Sequence, residues 1–431
     1  MKRGRAAVTI CSSAFESLGR AQAGSLGCAD LPIALVPHPF GLLKRSELFS
    51  VAEDAAEQIF RLIAIDGKSV SAMTVPAGGG ACEAHVLSVT DDVEALHRMF
   101  CERGWSDGLP VVPPTVERVK RMLSMTQRPH DEVVATVAPA FGAATVGHIA
   151  INAVMAGCAP FCIDLLIAAV EAVAAPEFNL QGIQATTNPA AVWIIANGPV
   201  AGKAGITGGV NCLGQGPWGN VAVGRALRLI LQNIGGALPG TMDRATHGQP
   251  GKISMCCAEN EVASPWASLH VDRGYAPKDS TVTVVGFSGT LNMNTHSKNA
   301  NEILRSIADA MAHAPSNDYW CGGEPWIALC PEHAAILSQA GYSKTDVQRR
   351  LWELSLLRAS RMADKDYERT ARTRRAELGE ITPDTLLPIA PEPDRIGLIV
   401  AGGAGTHAVY MPGFGNSRSV TRRVDCAEVV A

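Results

Sequence analysis

An α/β fold is predicted by three observations. Short runs rich in β-branched residues alternate with longer helical patterns along most of the chain. The first 65 residues read in the order βαβα. A composition of 431 residues with 47% hydrophobic, 18% charged and 42 glycines describes a compact chain with many turns.

Residues 6–11 (AAVTIC) read as a strand, and 13–26 as a helix started by a Ser12-Ser13 capping signal. PIALVP at 32–37 is the second predicted strand and 46–64 the second helix, so the two strands are expected to be parallel and adjacent. PAGGGA at 76–81 reads as a linker. It divides the chain into an N-terminal unit, residues 1–75, and a larger mixed α/β domain, residues 86–431. In the larger part, 115–125 and 161–175 are predicted helices and AVWIIAN (191–197) a buried strand. A helix is predicted at 220–234, closed by Gly235-Gly236, and strands at 280–287 and 396–402. The charged helical stretch 344–379 is expected to lie over the body as a hairpin, lid or subunit contact. No internal repeat is evident.

The most apolar region, 149–175, contains Asn152, Pro160 and Asp164. It reads as two short buried helices split at Ala159-Pro160, not as a membrane span. A net charge of −4 and 5% aromatic residues leave no electrostatic or stacking case for nucleic acid. Twelve cysteines occur without a CxxC pair, and no secretory signal is visible. They are expected to be reduced thiols in a cytoplasmic protein, most of them buried small hydrophobes.

QPGKISMCCAENEVASPW at 249–266 crowds Cys256, Cys257, Glu259 and Glu261 together. Met255-Cys256 is expected to end a buried strand with both carboxylates just past it, where α/β proteins place their sites. Glu259 and Glu261 are the candidate acid–base pair, divided between the chemistry and a structural role, with Cys256 and Cys158 as candidate nucleophiles. The Gly-rich run 197–220 supplies Asn197, Asn211 and Asn220 and feeds a helix carrying Arg225. Glycines allow close backbone approach and a helix N-terminus attracts anions, so these residues are candidate substrate contacts. His148 and Asn152 fall near one helical face, and His270 lies shortly after the glutamates; they complete the candidate binding set. No HxxxH or CxxC spacing supports a metal, although a composite site is left open.

VTICSSAFESLGRAQAGSLGCADLPIALVPHPF, with LPIALVPHP at its centre, resembles the second half of the thioredoxin-like module of the UGSC-motif (seleno)protein family. That module is in turn similar to the selenoprotein B subunits of glycine-type reductases. WSDGLPVVPP (105–114), NAVMAGC (152–158), PEFNLQGIQATTNP (176–189), AENEVASPW (258–266), PEHAAILSQAGYSKTDV (331–347) and GFGNSRSVTR (413–422) resemble a large domain associated with it. The family's U/C-Gly-Ser-Cys string occurs nowhere in the chain, which is expected to begin downstream of it. The resemblance implies thiol-linked small-molecule chemistry. The expected function is an enzyme, a lyase or oxidoreductase, that makes or breaks a carbon–heteroatom bond in a small polar substrate without a required cofactor. The alternative is a non-catalytic partner of a thiol or selenol redox system. A homo-oligomer or a redox partner protein is expected, but no nucleic acid or membrane.

Overall fold

The computed structural model describes residues 7–40, 43–64, 86–89 and 91–425. The predicted linker at 76–81 lies outside the described residues. Strands β1 (Thr9–Ser12) and β2 (Ile33–Val36) pair in parallel, from Thr9 opposite Ile33 to Ser12 opposite Val36, as the βαβα pattern requires. The intervening helix starts later than predicted. Ser13–Phe15 is a 3-10 turn, the α-helix runs Glu16–Ser25, and Ser12 makes no capping bond. The Ser12 hydroxyl instead bonds His38 Nδ1 at 2.8 Å. Helix Arg45–Ala64 docks on β2 through Gln58, whose amide accepts from Leu35 N–H and donates to Leu35 C=O. That satisfies backbone groups which a strand at a sheet edge would leave open.

Ahead of the main sheets, β3 (Val133–Val137) and β4 (Gly142–Thr145) form an antiparallel pair. The apolar region divides as predicted, into helices Val146–Met155 and Ile163–Val173 with a 3-10 turn at Pro160–Cys162. No described helix is long and apolar enough to cross a membrane.

The body is built on two four-stranded sheets. Their strands are β5 (Ala191–Asn197), β6 (Cys256–Ala258), β7 (Thr281–Phe287), β8 (Leu291–Asn294), β9 (Trp326–Leu329), β12 (Gly397–Val400), β13 (His407–Met411) and β14 (Val420–Arg423); β10 (Leu357–Arg358) and β11 (Leu386–Leu387) form a small separate pair. The sheet orders are β14-β7-β5-β6 and β12-β9-β13-β8.

Read from β8 to β12, the second order repeats the first in pairing and direction, which corrects the expectation that the chain holds no repeat. β5 pairs parallel with β6 and antiparallel with β7, and β9 pairs likewise with β12 and β13. The fourth strand of each sheet is exchanged: β8 follows β7 but pairs with β13, and β14 follows β13 but pairs with β7. The crossing points meet in an antiparallel bridge between Phe287 and Gly413. Its hydrogen bonds, Ser288 N–H to Pro412 C=O and Phe414 N–H to Gly286 C=O, interchange when Phe287 and Gly413 are exchanged. Extending that equivalence through the registers matches Trp193 to Trp326, Asn197 to Cys330, Cys256 to Leu398 and Glu259 to Ala401.

Alternation along the strands sets the layers. Trp193, Ile195, Cys257, Val285 and Phe287 face Trp326, Ala328, Ile399 and Met411, so the sheets pack face to face. Trp193 and Trp326 meet edge to face, with ring centroids 5.8 Å apart. The opposite faces are covered by helices. Ile194, Cys256, Val282 and Val284 pack under Ile163–Val173 and Trp218–Asn233, and Ile327, Leu398, Ala408 and Tyr410 under Ala300–Met311 and Lys344–Leu354. The charged stretch is not a lid. Val347, Leu351, Leu357 and Ala359 within it are fully buried in the second core, and Arg374 is buried with them, bonded to Tyr319 C=O and Pro388 C=O.

Candidate active site

Because β5 and β6 are parallel neighbours, their C-terminal ends bring Asn197 and Glu259 together. Asn197 Nδ2 donates to Glu259 Oε2 at 2.7 Å and to Glu261 Oε1 at 2.9 Å. Glu259 Oε2 also accepts from Leu269 N–H at 2.7 Å, and Glu261 Oε1 from Gly198 N–H at 2.8 Å. The two carboxylates, expected to divide between the chemistry and a structural role, thus share a partner. The chain turns just past Glu259, with Asn260 C=O accepting from Ala263 N–H and Ser264 N–H, yet both carboxylates reach the one Asn197 amide. They differ in depth: the Glu259 side chain is fully buried, whereas that of Glu261 is 32% exposed.

Two groups complete the cluster: Lys344, which sequence reasoning missed, and His270, which it named. Lys344, the first residue of helix Lys344–Leu354 in the second repeat, places Nζ 3.8 Å from Glu259 Oε1 and 2.6 Å from Asp272 Oδ2. Its sequence signals are membership of a charged run and of the string PEHAAILSQAGYSKTDV, neither of which marks it as a site residue. Burial pushes the Glu259 carboxyl above its ordinary range; Lys344, Leu269 N–H and Asn197 oppose that shift without cancelling it. His270 is fully buried, accepts or shares a proton with Ser268 Oγ at 3.0 Å, and lies 3.9 Å from Glu261.

The Gly-rich loop is held against this cluster. A Cβ on Gly208 would meet Ala258 O at 2.4 Å, so only glycine lets the loop approach β6. Asn220 secures it from the helix Trp218–Asn233 by accepting from Thr207 N–H and donating to Thr207 C=O and Cys212 C=O. Asn211 serves a left-handed turn and donates to Gln215 C=O. The second repeat closes the other side: Asn260 N–H donates to Val400 C=O, and Gly402 N–H to Gly208 C=O.

Three expected contacts lie elsewhere or have other partners. Arg225, predicted to meet substrate, is committed to Asp107 by two 2.8 Å bonds and to Leu109 C=O, with both side chains nearly buried. His148 closes a capping box with Thr145, and its Nδ1 contacts Ala143 C=O. Asn152 donates to His148 C=O and accepts from Asn233. These polar side chains satisfy helix ends and interhelical contacts, the usual use of polar groups in a dense core. The predicted nucleophiles fare no better. Cys256 is a core residue of β6 whose thiol is raised by burial, and Cys158 is raised by its contact with Cys162 and by burial. A thiol so held is not a thiolate at neutral pH.

Two expected results follow. Iodoacetamide at pH 7 should modify Cys101, exposed beside His97, well before Cys158, Cys256 or Cys257, as read by peptide mass spectrometry; early labelling of Cys256 would restore it as a nucleophile. Asp107→Ala should lower stability by about 3 kcal/mol, since it strands a nearly buried guanidinium. Burial raises the Asp107 pKa, but the Arg225 bonds and charge outweigh it and the net shift is downward. The wild-type advantage should therefore be full above about pH 4 and fade as pH falls through the folded value. Urea unfolding across acid pH measures both.

Among the described residues no group of three or more His, Cys, Asp or Glu side chains is arranged to hold a metal ion. No curated protein and no solved structure matches the chain. Residues 1–65 match the model of the UGSC family, the family to which this N-terminal segment is similar.

Proposed function

We propose that the chain is an enzyme acting on a small polar organic substrate, with Glu259 as general acid–base at the seam of the two repeats. The observation that carries this reading is an internal comparison. The same strand ends are closed in the second repeat by Cys330 and Ala401, so the fold can be built there without a buried carboxylate. The first repeat nevertheless keeps Glu259 fully buried, where desolvation raises its pKa toward the range useful for proton transfer near neutrality. Buried ionisable groups cost stability unless paired, and 3.8 Å from Lys344 this one is only partly compensated.

Asn197 and Leu269 N–H fix the inner oxygen and orient the group, leaving Oε1 toward Lys344. The thiol route through Cys158 or Cys256 has no support in their burial. The similarity of residues 1–65 to the UGSC family supports a substrate in thiol-linked metabolism. The test is untargeted profiling of small molecules incubated with wild type and with Glu259→Gln. Conversion by the wild type alone supports the reading; equal conversion by both removes it.

A further inference from the structure

We propose that the Glu259 site binds a water molecule and activates it, so that the reaction is a hydrolysis or a hydration. This rests on the acid–base reading above and adds the identity of the nucleophile.

Two buried acceptors, Glu259 Oε1 and Asn197 Oδ1, have no hydrogen-bond partner, although their residues are bonded to each other through Asn197 Nδ2 and Glu259 Oε2. Unsatisfied buried acceptors are rare in native proteins, and a bound water is the commonest partner for them. The spacing of the neighbouring cation agrees. Lys344 Nζ lies 3.8 Å from Glu259 Oε1, within ion-pair range but beyond a hydrogen bond, a separation that leaves room for a water bonded to both. Water matches the needs of Lys344 and Glu259, accepting from the ammonium and donating to the carboxylate oxygen. A cationic ligand group would instead meet Lys344 as a like charge.

The step balances without a further reactant. Glu259 takes a proton from the water, and the water oxygen forms a bond to an electrophilic carbon of the substrate. With a carbonyl, the π pair moves to oxygen; its return re-forms the carbonyl and expels the leaving group, which takes the proton from Glu259. With a conjugated double bond, the pair moves to the neighbouring carbon, which takes that proton. One water is consumed, and no electrons enter or leave.

The experiment incubates the full chain with a small-molecule cell extract in heavy-oxygen water and follows labelled masses. Glu259→Gln is run in parallel, and Glu259→Asp, which keeps the charge but withdraws the oxygen, guards against a folding defect in the first variant. The expected result is at least one product that carries one heavy oxygen with wild type and is lost with both variants. A product that depends on Glu259 but carries no label would overturn the water step and leave the acid–base reading standing. No product dependent on Glu259 would overturn both. A high-resolution crystal structure with a protein donor on Glu259 Oε1, and no water there, would also overturn the inference.

Discussion

Trp193→Ala should destabilise the protein by about 3–5 kcal/mol, and Trp326→Ala by a similar amount. Both indoles are fully buried, and they face each other across the seam between the sheets. Removing either leaves a large cavity in a layer whose neighbours, Ile195, Val285, Ile399 and Met411, are fixed by their own strands. The edge-to-face contact adds about 0.5–1.5 kcal/mol beyond the buried area. The double variant should therefore lose less than the sum, because each single change already forfeits the shared contact. Unfolding should also remain a single transition. β8 and β14 each leave one repeat to complete the sheet of the other, so neither half can unfold with its own strands intact. Urea titration checks these points. Losses below about 1 kcal/mol, or two separate transitions, would show that the seam is not a shared core.

The same exchange explains what the sequence does and does not disclose. β5, β7 and the N-terminal βαβα unit are legible because their patterns are local: β-branched runs of four to seven residues between turn residues. The position of Glu259 just beyond a buried strand is legible for the same reason. The duplication is not, since it resides in pairings between distant strands, and the matched residues differ in chemistry at Asn197 and Cys330, and at Glu259 and Ala401. Arg225 reads as a substrate contact only while its partner is unknown; Asp107 lies 118 residues away along the chain. Lys344 was hidden by its surroundings. In a helix with Asp346, Arg349, Arg350 and Glu353, one lysine that turns inward to a buried carboxylate has no distinguishing neighbour.

Glu259→Gln should abolish most of the activity, by about 10²–10⁴-fold, while leaving stability unchanged or raised. Glutamine keeps the shape. Its carbonyl oxygen can accept from Asn197 and Leu269 N–H as Oε2 does. What disappears is a buried charge. The Glu259 pKa is raised by burial, so its unfavourable contribution is absent below the unfolded value near 4.3 and grows as pH rises toward the folded one. The stability difference between variant and wild type should therefore favour glutamine increasingly from about pH 4 upward, then level off above the folded pKa. Glu261→Gln is the control. Its carboxylate is a third exposed and accepts from Gly198 N–H, so its loss should weaken the loop slightly and spare the chemistry. Thermal unfolding across pH, paired with turnover, separates the outcomes. If Glu259→Gln is strongly destabilising at every pH and Glu261→Gln is the inactive one, the buried carboxylate is a structural fastener and the exposed one is the acid–base group.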